Sequence, residues 1–399
     1  MNSDFPTEII EEGTVSIMVP RQKASVKEAL ECTPSKAPVF YNPVMALNRD
    51  ITVLVLQAYQ RTKEKELSVC DPLTGCGIRG IRFAGEVRDI KKVVVNDISP
   101  KAAKLAKLNV ERNGLTERIL VMNEDANLLL NGHSGPCERF DFIDIDPFGS
   151  PVLYLDSAIR ALRDEGLLAL TATDLAPLCG VHPRACIRKY GGRSLRTEYC
   201  HELAVRLLIG CLTTVAAKHN LGIEVVFSHS TDHYIRAYAL LHYGAKRADW
   251  SIQQMGYILH CFACLHRETS EGLFSFLDSR CPECGSSMAA AGPLWLGKLI
   301  DKNSCSLMKN EIKGRKLEEE RRICRLLSAT EAEADSPGTY YVIDKVCDKL
   351  GLPVPPLNRV VEELTRAGFR ATITHFNSRG VKTDASAKEI KEVVSKLLK

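Results

Sequence analysis

The chain has 399 residues, 45% hydrophobic and 26% charged, a composition ordinary for a soluble protein of two or three domains. Its net charge of +4 is too small to argue for a polyanionic partner over the whole length, and the excess lies beyond residue 244, where 24 Lys+Arg face 20 Asp+Glu. The first residues lack a secretory signal and no apolar run approaches transmembrane length, so we expect a cytoplasmic protein with reduced cysteines and no membrane partner.

Residues 67–70 read as a strand, followed by a glycine-rich turn and a helix through 82–84. Residues 92–96 are the next strand. Ser99 and Pro100 then open a helix, as N-cap and first residue, which ends at Asn113-Gly114. Strands follow at 119–122, 140–145 and 166–172, with a helix over 151–162, and 224–227 with 235–243 form a closing hairpin. Strands alternating with helices imply a doubly wound, mostly parallel α/β sheet with ligands at the carboxyl ends of the strands. A locally basic run (Arg184, Arg188, Lys189, Arg193, Arg196, Arg206) suits a phosphate backbone or a solvated surface.

Beyond residue 245 the texture changes, which divides the chain into domains 1–244 and 245–399. The second carries a zinc-ribbon-like insert, a charged helix over 310–330, and a helix–turn–helix–strand order over 339–376 that is winged-helix-like. It is expected to be a smaller α+β domain.

Asp71-Pro-Leu-Thr-Gly75-Cys-Gly77-Ile-Arg79-Gly80 follows a strand and opens a helix, and Asp97 lies 22 residues after Gly75. The glycines let the backbone approach a ligand closely. A nicotinamide dinucleotide makes the same demands as a methyl donor, so the turn alone leaves both open. Three details favour S-adenosylmethionine. Asp71, at the strand tip, can face a sulfonium or the amino end of methionine; Arg79 can meet a carboxylate, which the dinucleotide lacks; Glu124-Asp125-Ala126 offers an acid to an adenine amino group. Asp97 would then accept from both ribose hydroxyls.

Asp144-Ile-Asp146-Pro147-Phe148-Gly149 ends the fourth strand of this series. The exocyclic amine of a base is a poor nucleophile because its lone pair is delocalised into the ring. Hydrogen bonds from its protons to Asp146 and to a backbone carbonyl beside Pro147 would localise that pair, and Asp146 can take up the released proton. Phe148 can stack on the base. An Asp-Pro alone is more often a strand-ending turn; its order and spacing after the donor turn carry the reading.

Of 15 cysteines, four form the pairs Cys261-x-x-Cys264 and Cys281-x-x-Cys284, sixteen residues apart, the spacing of a tetrahedral structural zinc site. His260 is a minor alternative ligand. The other eleven are scattered singly, many of them (Cys70, Cys179, Cys211) inside apolar runs, where they read as small hydrophobes.

With these motifs the chain resembles the tRNA (guanine-26-N2)-dimethyltransferase family in its archaeal-type form. The resemblance runs through Phe40-Tyr-Asn-Pro43, Asn48-Arg49-Asp50, the glycine-rich turn, Asn96-Asp97-Ile98, the Asp146 motif, Thr171-Ala-Thr-Asp174, Lys189-Tyr-Gly-Gly192, Thr374-His-Phe-Asn377 and Lys382-Thr-Asp384. It implies a Rossmann-like class I methyltransferase domain joined to a C-terminal domain that grips tRNA. It implies that Arg49, Arg79, Asp97, Asp125 and Ala126 contact S-adenosylmethionine. It also implies that Asp146 and Pro147 handle the guanine amine, with Phe40 and Phe148 flanking the base. The expected activity is the transfer of one or two methyl groups to N2 of guanine 26 by a monomer with no obligate protein partner. A nicotinamide oxidoreductase, a non-catalytic nucleic-acid binder, and a methyltransferase of another base amine are the alternatives.

Overall fold

The computed structural model describes residues 4–21, 37–273 and 280–398. Two compact units are interleaved along the chain: Met1–Pro147 with Tyr154–Leu170 and Asn303–Leu327, and Phe148–Leu153 with Thr171–Lys302 and Ser328–Lys399. The sequence reading drew a single linear boundary at residue 244.

The first unit opens with an antiparallel hairpin, β1 (Thr7–Glu12) and β2 (Val15–Pro20), and a long helix, α1 (Ala46–Lys63). The alternation then runs β3 (Leu67–Asp71), α2 (Ile78–Glu86), β4 (Ile90–Asn96), α3 (Pro100–Arg112), β5 (Ile119–Met122), α4 (Ala126–Gly132), β6 (Phe140–Ile145), α5 (Leu155–Ala161) and β7 (Leu162–Ala172). The strand order is β5-β4-β3-β6-β7, all parallel. The middle strands are buried on both faces, so they read as nearly continuous apolar runs. Ser99 caps α3 with Pro100 at its first position, as expected. The third glycine of the turn lies where α2 crosses β4: a Cβ on Gly80 would stand 2.2 Å from Val95 Cγ1.

The second unit continues from the last two residues of β7 through α6 (Leu175–Leu178), α7 (Pro183–Tyr190), α8 (Cys200–Ala217), β8 (Leu221–Thr231), β9 (Tyr234–Tyr243) and α9 (Ala245–Gln253). Its strand order is β7-β9-β8, with β8 and β9 antiparallel, the closing hairpin that was expected. α8 overturns one expectation: by length and composition it is apolar enough to cross a membrane, yet 72% of it is buried inside the fold, as suits a core helix. Next come β10 (Met255–His260), β11 (Arg267–Glu271) and β12 (Ala289–Trp295), in the order β11-β10-β12.

The single charged helix expected over 310–330 is two helices, α10 (Lys302–Ile312) and α11 (Glu320–Glu333). A turn with Gly314 at φ +82° separates them, a backbone that suits glycine. The chain ends with β13 (Tyr341–Val342), α12 (Ile343–Leu350), α13 (Leu357–Arg366), β14 (Ala371–Ile373), β15 (Gly380–Thr383) and α14 (Ala387–Leu397). The helix pair, followed by the antiparallel β14–β15 pair with β13 on its other edge, has the winged-helix order. Ile343, Val346, Val360, Leu364, Val381, Ile390 and Val394 form its core.

Candidate active site

Of the residues expected to hold the donor, all but Arg49 lie at or just after the carboxyl ends of β3, β4 and β5. Asp97 follows β4 and accepts the Gly75 amide at 3.0 Å through Oδ2 and the Ser99 amide at 2.9 Å through Oδ1. It therefore fixes the glycine-rich turn. Gly75 sits at φ +57°, and a Cβ there would meet the Phe40 carbonyl oxygen at 3.0 Å, so the turn lies against the Phe40 backbone. Gly77, at φ +86°, caps α2.

Asp71 ends β3 fully buried. Its Oδ2 accepts from Thr74 Oγ1 at 2.6 Å, and its Oδ1 has no hydrogen-bond partner among the described residues. Burial, with Asp144 as a close negative neighbour, pushes its carboxyl up to about 7 against the pull of Arg79. Arg79 donates through Nη1 to Asn48 Oδ1 at 2.9 Å and Thr52 Oγ1 at 3.2 Å. It pairs with Asp144 at 3.3 Å and, through Nη2, with Asp146 Oδ2. Asn48 Nδ2, like Asp71 Oδ1, is buried without a partner among the described residues. Around Arg79 there are thus an orphan donor and an orphan acceptor, the complement of a zwitterionic amino-acid end.

Asp125 caps α4, its Oδ1 accepting from the amides of Asn127 at 2.8 Å and Leu128 at 3.2 Å, and Ala126 is the first helical residue. Tyr154, which the sequence reading did not single out, lies near both acids. Its phenol is raised by burial and then by the Asp125 and Asp97 carboxylates. Ile98 and Leu128, beside these two acids, are exposed apolar side chains.

Arg49 is buried in a polar network. It donates to Glu12 through Nε at 2.6 Å and Nη2, reaches the Asn42 carbonyl at 3.2 Å, and lies over the Tyr41 ring at 5.4 Å. Arg82 joins Glu12 at 2.9 Å, Asp50 at 2.7 Å and Glu86 at 2.9 Å. Burial opposes ionisation of Glu12, but the two guanidiniums hold its carboxyl below the usual range. This network was not anticipated from sequence. On the acceptor side, Asp146 and Pro147 follow β6 in the first unit. Phe148 opens the second unit and is 67% exposed, ahead of Gly149 at φ +82°.

In the second unit Cys261, Cys264, Cys281 and Cys284 bring their sulfurs within 4.8 Å of one another, so the four can hold a metal ion. Each pair closes a tight turn, Cys261 N donating to His266 O and Cys281 N to Ser286 O, both at 2.8 Å. His260 is not in the cluster; its buried ring packs edge-on against Tyr199 and Phe262. In the basic run, Arg184, Arg188, Lys189, Arg193 and Arg196 are exposed. Arg206 departs from it: buried in α8, it binds Glu202 at 2.8 Å and the carbonyls of Trp295 and Gly297. Two segments that carried the resemblance also turn out to be internal supports. Lys382 pairs with Glu202 at 3.0 Å, while Thr374 and His375 both bind Glu333.

Five parallel strands in this order, followed by an antiparallel closing pair, with an acid behind each ligand-facing strand end, define a Rossmann-like class I methyltransferase. The family model "N2,N2-dimethylguanosine tRNA methyltransferase" matches residues 13–395, and the chain belongs to that family of enzymes. It is 42% identical over 390 residues to the tRNA (guanine(26)-N(2))-dimethyltransferase of Methanothermobacter thermautotrophicus, covering 98% of this chain and 99% of that one. It is 36% identical over 393 residues to the tRNA (guanine(26)-N(2)/guanine(27)-N(2))-dimethyltransferase of Aquifex aeolicus, covering 98% and 96%. The solved structure of Trm1 from Pyrococcus horikoshii with S-adenosyl-L-methionine superposes with a TM-score of 0.85 at 35% identity, covering 97% of this chain and 99% of that chain.

Proposed function

We propose that the enzyme transfers two methyl groups in succession to the exocyclic N2 of guanine 26 in tRNA, with S-adenosylmethionine as donor. The observation that carries this reading is the Arg79–Asp146 ion pair, which joins the donor turn to the acceptor motif. Membership of the family supplies the base and the RNA.

When bound, S-adenosylmethionine supplies an electrophilic methyl carbon. Arg79 and Asn48 Nδ2 would hold its carboxylate, Asp71 Oδ1 its ammonium or sulfonium side, and Asp97 its ribose. Asp125 and Ala126 would hold the adenine, with Arg49 contributing from behind the turn. Gly75 and Gly77 keep the backbone open to the donor. Asp146, with the carbonyl next to Pro147, would accept the amine protons, localise the lone pair, and take up the proton released on attack. In-line attack on a sulfonium then needs little beyond positioning and dehydration. Phe40 and Phe148 would flank the guanine, which must leave its stack to be reached.

The same reading makes residues 1–244 the methyl-transfer part, and 245–399 the part that grips tRNA and holds structural Zn2+ on Cys261, Cys264, Cys281 and Cys284. It describes a cytoplasmic monomer without an obligate protein partner. The exposed arginines of 184–196 are suited to phosphates near the hinge of the tRNA.

The test is mass spectrometry of nucleosides from an unmodified tRNA transcript incubated with enzyme and S-adenosylmethionine. N2-methyl- followed by N2,N2-dimethylguanosine is expected, and both should vanish from a transcript carrying adenosine at position 26. Methylation at another base, or none although the donor binds, would overturn the assignment.

A further inference from the structure

We propose that Cys179, Cys200 and His201 form a second metal site, separate from the four-cysteine cluster, which takes a thiophilic divalent cation such as Zn2+. The three side chains present two sulfurs and a ring nitrogen within 4.8 Å of one another. Neither of the other assignments uses them.

The positions are built, not incidental. Cys179 is the C-cap of α6 and buried. The next residue, Gly180, has φ +86°, and a Cβ there would stand 2.3 Å from Arg196 N. Only glycine therefore lets this loop lie against the backbone that leads into α8. Cys200 and His201 are the first two residues of that 18-residue helix, and the backbone amides at its start favour a thiolate. The Cys179 and Cys200 sulfurs lie within 4.8 Å of each other. A cysteine acting as a small hydrophobe needs neither a second thiol nearby nor an imidazole beside it. In a tetrahedral zinc site, bonds of about 2.3 Å to sulfur and about 2.0–2.1 Å to nitrogen bring ligands to within about 4 Å of each other, which this cluster accommodates. Two thiolates neutralise the ion, and the imidazole is the third ligand. A fourth position is left for water, so the ion should be held less tightly than by four cysteines. Bound there, the metal would fasten the segment carrying Arg184 and Arg188 to α8.

The experiment is metal analysis of the full-length protein at equilibrium with buffered Zn2+, which needs no activity measurement. Two equivalents per chain are expected. Cys200→Ser and His201→Gln should each leave one; Cys264→Ser should also leave one; Cys200→Ser with Cys264→Ser should leave none. The surviving four-cysteine equivalent in Cys200→Ser reports that the variant is folded. If Cys200→Ser loses both, His201→Gln decides, because it spares the sulfurs: one remaining equivalent supports the site and two overturn it. A wild-type protein with a single equivalent that Cys200→Ser leaves untouched also overturns it.

Discussion

Arg79, inside the glycine-rich turn, is ion-paired to Asp146, sixty-seven residues further along at the end of β6. The same guanidinium bonds to Asn48 and Asp144, so one buried cation ties α1 and the glycine-rich turn to the end of β6. A shift of Arg79 would therefore be felt at the Asp146 carboxylate.

Asp146→Asn keeps the shape and removes the charge and the proton acceptor. Single-turnover methylation should fall by about a hundredfold or more, with affinities for tRNA and S-adenosylmethionine within about threefold of wild type. A rate near wild type would remove Asp146 from the chemistry.

Donor affinity should depend on pH through Asp71. Its carboxyl, raised to about 7, is protonated below that pH, and a cationic ligand group favours the ionised form. Binding then releases a proton, so affinity rises with pH up to about 7 and levels off above. The fall below is at most about tenfold per pH unit. The same raised value makes Asp71 a cost to folding that grows as pH climbs from the ordinary carboxylate value of 3.8 toward 7. Calorimetric titrations of Asp71→Asn should give a flat profile.

Gly80→Ala would place a methyl 2.2 Å from Val95 Cγ1 and lever α2, with Arg79, off β4. A loss of about 1–3 kcal/mol is expected in denaturant unfolding, together with weaker donor binding. Gly132→Ala, where an added Cβ meets nothing within 4 Å, is the matched control and should be near neutral.

Replacing Cys264 by Ser should release one equivalent of metal and lower the midpoint of thermal unfolding, because ligand binding and local folding are linked. Unchanged metal content would leave the cluster as four thiols.

Arg184, Arg188, Arg193 and Arg196 are exposed and Arg206 is not. Alanine at any of the first four should weaken tRNA binding and lessen its salt slope by about 0.7–0.9. Arg206→Ala should instead destabilise the protein by about 3–5 kcal/mol, since it strips a buried partner from Glu202. Filter-binding across salt concentrations, beside an unfolding curve, separates the two behaviours.

Much of the methyltransferase architecture is readable from local pattern. β5 and β6 have the expected bounds, Ser99-Pro100 starts its helix, and the C-x-x-C pairs meet, because periodicity, caps and ligand spacing are properties of neighbouring residues. What escaped depends on long-range partners. Arg49 looks like any residue opening a helix, and only the fold brings Glu12 to it. Arg206 joined a basic run by position, although the helix turns it inward. Tyr154 carries no motif, and Cys179 and Cys200 are 21 positions apart with nothing in either neighbourhood to link them.

The network beneath the donor turn also closes a very long loop. Glu318 bonds to Asp50 and Gly13, and Arg315 reaches Glu86 and Gln57. During synthesis these partners of the amino-terminal hairpin and of α1 and α2 emerge from the ribosome only after some three hundred residues have already appeared. The nascent half-enzyme must wait for them with the Asp50 carboxylate and the Gly13 amide incompletely matched, a stage at which chaperone binding or proteolysis can intervene. A fragment ending before residue 315 would stay in that state, which argues for keeping the chain whole in any attempt to produce its methyl-donor site alone.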